Sequence, residues 1–340
     1  MAAMEPVLLR LGTRNAVFSD GVGDDAQVVI HRASTLDAHD VESDAFLEEA
    51  RSRLEDDGFV VLKGLLPSED VVEAAALVLD AYKAKGTILE PTGSDTLRRD
   101  CGLGCVPFTE GRNELTHADA MLKVVEAPKL QQFFKRLFGE EAATFDYKWL
   151  RGVPRGVATG CHLDRVYMGR GSERLMTAWI PLGRKTPLDL GGLVMLEGSH
   201  KTTGPFAPLH ATYGNMDVER DGLAGTGWFS EDPREISSRF GGDARWLAPP
   251  YYEAGDVVVF GLRTLHMSTA NLTDRVRLSV DVRFQPASDP VDPRYVGEVR
   301  ASDRVVSGAH AKDDAATKEE KVSIGDMKRA WGFAPYAAGA

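Results

Sequence analysis

From Val276 to Phe284 the chain alternates without a break, with Val276, Leu278, Val280, Val282 and Phe284 on one side and Arg277, Ser279, Asp281 and Arg283 on the other. Successive side chains of a strand point to opposite faces, so this segment reads as a β-strand whose apolar face packs while its polar face is available for chemistry. Such a strand needs partners. From about residue 144 the chain shows short apolar or alternating runs separated by Gly, Pro and Asp, including Ala178–Leu182, Gly192–Leu196 and Val257–Phe260, which is the texture of antiparallel β. Helical patterns precede them. Ser43 is a suitable N-cap for a helix through Arg53 on which Phe46, Ala50 and Leu54 share a face, with Gly58 to end it, and Phe59–Leu62 then reads as a buried strand. After Pro67, Ser68 caps a second helix striped by Val71, Val72, Ala75, Val78, Leu79 and Tyr82. Pro128 opens a third, with Phe133, Phe134, Leu137 and Phe138 inward and Gly139 at its end. Helices first and strands second imply a mainly β protein with flanking helices: a double-stranded β-helix, or jelly-roll (cupin-like) barrel, covered by helices on one side.

The barrel domain is expected over residues 43–300. Residues 1–42 show no periodicity that defines an element and are expected to form an N-terminal extension. The stretch 201–250, rich in Gly, Pro and aromatics, is too long for a tight turn and is expected to be an insert over the barrel mouth. Residues 301–340 form a charged, Ala-rich C-terminal tail, in which Lys318, Glu319, Glu320 and Lys321 are expected in solvent and Trp331 to Tyr336 to dock back. Forty Lys plus Arg against 51 Asp plus Glu leave a net charge of −11, which lacks the electrostatic footprint of non-specific nucleic-acid binding. No stretch approaches the roughly 20 apolar residues of a membrane span, and the apolar run in Met1–Arg10 is too short for a secretory signal. A cytoplasmic location is therefore expected, with no nucleic-acid or membrane partner. Cys101, Cys105 and Cys161 are odd in number, and Cys101-x-x-x-Cys105 has no second pair with which to close a zinc site, so all three read as free thiols.

The chemistry centres on His162-Leu163-Asp164. On a strand, alternate positions project an imidazole and a carboxylate to the same side, within reach of one ion. Such a tripeptide is common by chance and needs support from elsewhere. His266, after the turn Gly255-Asp256 and the strand Val257–Phe260, is positioned for a facing barrel strand to bring it back as third ligand. Two histidines and one carboxylate leave coordination positions open, which suits iron(II) and oxygen chemistry better than structural zinc. Further support comes from Arg277, eleven residues after His266 on the polar face of the alternating strand. A buried guanidinium calls for an anionic partner, and its planar fork fits a carboxylate. Ser268 and Ser279 offer hydroxyl donors. Arg275 competes on the same face but begins the strand beside Asp274 and is expected to be more exposed.

At this point the sequence resembles the phytanoyl-CoA dioxygenase family of iron(II)- and 2-oxoglutarate-dependent oxygenases. The resemblance runs through Asp57-Gly58-Phe59-Val60-Val61-Leu62 with Leu65-Leu66, His162 and Asp164, Trp179-Ile180-Pro181-Leu182, Gly191-Gly192-Leu193 into Glu197-Gly198-Ser199-His200-Lys201, and Gly255 to Gln285. These segments follow the family's order and spacing over most of residues 45–285. The resemblance implies His162, Asp164 and His266 as iron ligands, Arg277 as anchor for the far carboxylate of 2-oxoglutarate, and Ser268 as its helper. Arg151, eleven positions before His162, matches a basic residue the family often carries there. The chain departs locally from the family's Pro-Gly-Ser-His, having Glu197-Gly198-Ser199-His200. The implied reaction consumes dioxygen, converts 2-oxoglutarate to succinate and carbon dioxide, and oxidises a small-molecule substrate. Asp164 stands where related halogenating enzymes have a small residue, which points to hydroxylation or another halide-free oxidation.

His200, near a Gly-rich turn, is expected to fix a loop, and His31, His39, His117, His210 and His310 to be structural or surface groups. Cys161 reads as a small buried hydrophobe facing away from the ligands, Trp179 and Phe260 as core, and Tyr167 and Met168 as candidates to line the substrate cavity. Arg165, Arg170, Arg174 and Arg184 either favour an anionic substrate or form a solvated rim. Three rivals share the residues: a metal-dependent hydrolase, a non-catalytic ligand-binding or sensing module on the same barrel, and an interaction protein. Nothing in the sequence fixes an oligomeric state.

Overall fold

In the computed structural model, which describes residues 8–12, 14–18, 28–84, 86, 88–89, 96–97, 115–240, 244–297 and 321–336, the alternating segment is a strand, Arg277–Pro286, buried along its whole length. Along the chain, strands β1 (Leu8–Leu11), β2 (Arg14–Phe18), β3 (Val28–Arg32) and β4 (Leu36–Asp37) precede helix α1 (Asp44–Asp56), β5 (Phe59–Lys63) and helix α2 (Ser68–Ala84). A short pair, β6 (Ile88–Leu89) and β7 (Thr96–Leu97), is followed by α3 (Asp119–Val125), α4 (Pro128–Phe138), β8 (Ala142–Thr144) and β9 (Trp149–Val153). Helix α5 (Arg165–Met168) leads to β10 (Met176–Leu182), β11 (Lys185–Pro187) and β12 (Leu193–Leu196). Then come α6 (Ala207–Ala211), α7 (Pro233–Phe240), β13 (Trp246–Ala248), β14 (Tyr251–Glu253), β15 (Val257–Gly261), β16 (His266–Ser268), β17 (Arg277–Pro286) and α8 (Ile324–Ala330).

Two sheets make the barrel. The larger runs β4-β5-β15-β10-β17-β8 with β9 also paired to β17, and the smaller runs β1-β2-β3-β13-β12-β16. Their faces are sorted by the period-2 rule. Ala178, Ile180 and Leu182 of β10, Val257 and Val259 of β15, and Leu278, Val280, Val282 and Phe284 of β17 pack in one core with α1 to α4. Trp179, Val258 and Phe260 point the other way, into a second core shared with the smaller sheet. Helices thus cover one outer face and leave the inner face for the site, the double-stranded β-helix expected from sequence. The helices close as their caps require: Ser43 Oγ accepts from Phe46 N at 3.1 Å, and Gly139 ends α4 in the left-handed region with φ 75°. Phe134 on α4 stacks on Phe284 of β17 with centroids 4.3 Å apart, joining the helical layer to the back of the site strand.

Three parts of the chain differ from the sequence expectations. Within residues 1–42, β1 to β3 belong to the smaller sheet, where β3 pairs in parallel with β13, and β4 pairs with β5. These strands cover an edge that β13 would otherwise present bare. Residues 201–250 form no separate unit, because β13 lies inside them and is hydrogen-bonded to β12. Two more of its residues lie against the chain around His162, with Phe229 N donating to Cys161 O at 2.8 Å and Val218 N to Val166 O at 3.0 Å. Third, α3 appears where no helix is expected. In the tail, Trp331 and Phe333 pack against the inner core as expected, and Lys328 pairs with Glu235 at 2.8 Å. Lys321 is exposed, while Lys318 to Glu320 lie outside the described residues.

Candidate metal centre

His162 and His266 face each other across a single antiparallel bridge, with His162 N donating to His266 O at 3.1 Å and His266 N to His162 O at 3.2 Å. Directly opposed residues of such a pair put their side chains on the same side. β16 supplies His266 from the smaller sheet, returning after β15 of the larger one as the sequence suggests. Asp164 arrives differently. It is not on an extended strand: its φ of −60° and ψ of −25° are helical, and its carbonyl accepts from Tyr167 N and Met168 N as α5 begins. The chain turns into a helix directly after His162, and this turn, rather than strand alternation, brings the carboxylate round to the imidazoles.

The three groups are buried, and their candidate ligand atoms all lie within 4.8 Å of one another. His162 Nδ1 lies 2.8 Å from the Gly160 carbonyl and His266 Nδ1 lies 3.0 Å from that of Thr264. A carbonyl only accepts, so both Nδ1 atoms carry hydrogen, and each neutral ring offers a lone pair at Nε2. Each Nε2 is 3.7 Å from Asp164 Oδ1. Three acceptor atoms therefore converge within reach of one ion, which is an arrangement that suits a cation. The residues fit a divalent metal. Burial, then the neighbouring His266, lowers the His162 pKa from 6.5 to about 3, and burial lowers that of His266. For Asp164 burial opposes the charge, but Arg283 and the Thr177 hydroxyl outweigh it and hold the carboxyl well below its usual range. Neutral imidazoles and an ionised carboxylate are the ligating forms.

These groups sit on the wall of an open pocket with Trp179, Leu193 and Phe260 as apolar lining. Arg277 lines it too and is 2% exposed, with its guanidinium donating to the Ser279 hydroxyl. Ser268 lies on the same cavity, its Oγ accepting from Thr159 N at 2.8 Å, and Arg151 reaches it paired to Asp281 at 3.1 Å. The structure thus brings together the residues that the sequence reading assigns to metal and cosubstrate: His162, Asp164, His266, Arg277, Ser268 and Arg151 around the cavity, and Ser279 against Arg277. Arg275 is exposed.

Arg283, Thr177 and Asp281 were not singled out. Arg283 Nη2 is 3.1 Å from Asp164 Oδ2 and Thr177 Oγ1 donates to the same oxygen at 2.6 Å. The signal that could have found Arg283 and Asp281 is their parity with Arg277 on β17. Tyr167 and Met168 are not among the residues lining the cavity: the Tyr167 ring stands edge-on to His162, and Met168 Sδ accepts from Arg283 Nε at 3.1 Å. The reason is the α5 turn, which carries both residues past Asp164. His200 Nε2 donates to Glu55 O at 3.0 Å and His210 Nε2 to Ser199 O at 2.7 Å, so both tie loops. Gly58 allows this, since at φ 89° it takes a conformation L side chains resist and a Cβ there would collide with the His200 ring. Cys161 is fully buried. Arg165, Arg170 and Arg174 pair with Glu173, Asp217 and Asp289, and Arg184 is exposed, which makes these residues a rim of surface pairs.

Comparison with known proteins agrees with this geometry. The family model for phytanoyl-CoA dioxygenase (PhyH) matches residues 54–279. The 1-deoxypentalenic acid 11-beta-hydroxylase of Streptomyces exfoliatus is 30% identical over 251 residues, covering 71% of this chain and 82% of the relative. The enzyme of the same name from Streptomyces arenae is 31% identical over 253 residues, with the same shares covered. Among solved structures, the epimerase SnoN in complex with Fe3+, alpha ketoglutarate and nogalamycin RO superposes with a TM-score of 0.51 at 21% identity. That match covers 74% of this chain and 88% of SnoN, a likeness of fold.

Proposed function

The chain belongs to the phytanoyl-CoA dioxygenase family of oxygenases that use iron(II), 2-oxoglutarate and dioxygen, and from that premise we propose that His162, Asp164 and His266 hold the iron(II) of a small-molecule hydroxylase. The observation that carries the reading is the convergence of three acceptor atoms on a cavity that also holds the buried Arg277 guanidinium. In this reading Arg277, steadied by Ser279, anchors the distal carboxylate of 2-oxoglutarate through paired charge-assisted hydrogen bonds. Ser268 contributes its hydroxyl, and Arg151 adds a second cationic group for the anionic cosubstrate. Iron(II) bound with 2-oxoglutarate supplies the activation of dioxygen, with succinate and carbon dioxide as coproducts.

The chain's own part is placement and exclusion. The Gly160 and Thr264 carbonyls hold both imidazoles in the ligating tautomer. Trp179, Leu193 and Phe260 keep bulk water from the reacting C–H bond. Hydroxylation is the outcome we assign, since the Streptomyces relatives are hydroxylases. The hydrolase and sensing readings are not favoured, because family membership accounts for both the triad and the guanidinium beside it. A cytoplasmic location is part of the proposal, and among the described residues no helix is long and apolar enough to cross a membrane.

The test is to add iron(II) and then 2-oxoglutarate without oxygen and look for the weak visible charge-transfer band of bidentate chelation. The band should appear in wild type and vanish in His266→Ala. Metal binding without any band would overturn the oxygenase reading and favour a hydrolase or sensor.

A further inference from the structure

Asp164 has two carboxylate oxygens, and the fold treats them differently. Oδ1 faces both imidazole Nε2 atoms at 3.7 Å, while Oδ2 accepts from Thr177 Oγ1 at 2.6 Å and lies 3.1 Å from Arg283 Nη2. Thr177 and Arg283 are direct cross-strand partners of β10 and β17, so one rung of the sheet grips one oxygen of the ligand. The guanidinium is itself seated. It is 2% exposed, lies 4.5 Å from the centre of the Trp149 ring, donates from Nε to Met168 Sδ at 3.1 Å, and has Asp281 Oδ2 4.0 Å from Nη2. Trp149 and Asp281 are paired across β9 and β17, so the Arg283 slot is part of the sheet rather than of a loop.

We propose that Arg283 is a positioning residue for the metal: with Thr177 it occupies Asp164 Oδ2, so that the carboxylate meets the ion through Oδ1 alone. The inference rests on the metal assignment above and goes beyond it. A carboxylate free to turn would present both oxygens, and chelation through both would take a coordination position that the cosubstrate needs at an open-sided triad. A lysine at this position would keep the charge but lose the planar fork that meets Asp164 while lying over Trp149.

The test uses the full chain and cobalt(II) alone, read by its affinity in competition with a chelator and by its d–d absorption. Arg283→Gln should bind cobalt about 10- to 100-fold more weakly, the range for loss of a group that orients a ligand, and its d–d bands should shift as the second oxygen is released. Thr177→Val should show a smaller loss in the same direction, and Arg283→Lys should recover part of the affinity. Arg174→Gln, which removes a surface pair with Asp289, should match wild type. Should Arg283→Gln fail to fold, Thr177→Val and Arg283→Lys carry the test. Unchanged affinity and spectrum in the folded variants overturn this inference alone, whereas a wild-type protein that binds no cobalt overturns the metal assignment and this inference with it.

Discussion

Acidification of the metal-free protein should destabilise it through imidazoles that the fold keeps neutral. His162 is held at about 3, against an ordinary 6.5, by burial and then by the neighbouring His266. A group whose folded pKa is depressed takes up its proton only on unfolding between the two values. Its contribution is therefore fully present above pH 6.5 and is lost as pH falls toward 3. Within that window one such ring changes the unfolding free energy by about 1.4 kcal/mol per pH unit. Between about pH 6.5 and 5.0, His162 alone thus removes about 2 kcal/mol, against a typical total of about 5–15 kcal/mol. His266, His200 and His210 are depressed by burial as well and act in the same sense. The diagnostic quantity is accordingly the difference between wild type and His162→Gln, which removes one titrating ring and leaves the others. Urea unfolding in the presence of a chelator, repeated at half-unit steps from about pH 7.5 to 5.0, would measure it. The wild-type curve should fall more steeply than that of the variant by about 1.4 kcal/mol per unit below pH 6.5. Parallel curves would refute the reasoning, since they would mean that His162 titrates equally in the folded and unfolded states.

Phe134→Ala should cost about 3–5 kcal/mol in the same urea assay, because the ring is fully buried and stacked on Phe284; a loss under about 1 kcal/mol would contradict the close packing of α4 on the back of β17. Arg277→Gln should weaken 2-oxoglutarate binding to the cobalt(II) protein at least about tenfold, since each charge-assisted bond is worth about 1.5–3 kcal/mol; equal affinity by calorimetry would place the cosubstrate elsewhere. His200→Ala should leave cobalt stoichiometry unchanged while lowering stability by about 1 kcal/mol for its bond to Glu55; loss of bound cobalt would refute the loop-tying role.

Local rules made much of this structure legible. Ser43, Pro128 and Gly139 announce helix ends because caps are decided within a turn, and β17 announces itself because its alternation is uninterrupted. The site was legible where it depended on residue type, as with two histidines, an aspartate and an arginine on a polar strand face. What escaped was decided at long range. The strands in 8–32 are short and acquire their role only by pairing with β13, more than two hundred residues away. The helical turn at Asp164 gives no warning in His162-Leu163-Asp164, a tripeptide equally at home in a strand. Thr177 carries no sign that it will stand opposite Arg283, because cross-strand register is a property of the folded sheet.

β17 is buried on both sides, apolar toward the helices and polar toward the cavity. Sliding it by one residue against β10 would exchange the faces, sending Arg277, Asp281 and Arg283 into the helical core and leaving Val280 and Val282 beside Asp164, which needs a cationic partner. Neither core would tolerate that. The shift that would disarm the enzyme is therefore one the fold itself rejects, and a chain that has formed this sheet has already proofread its active site.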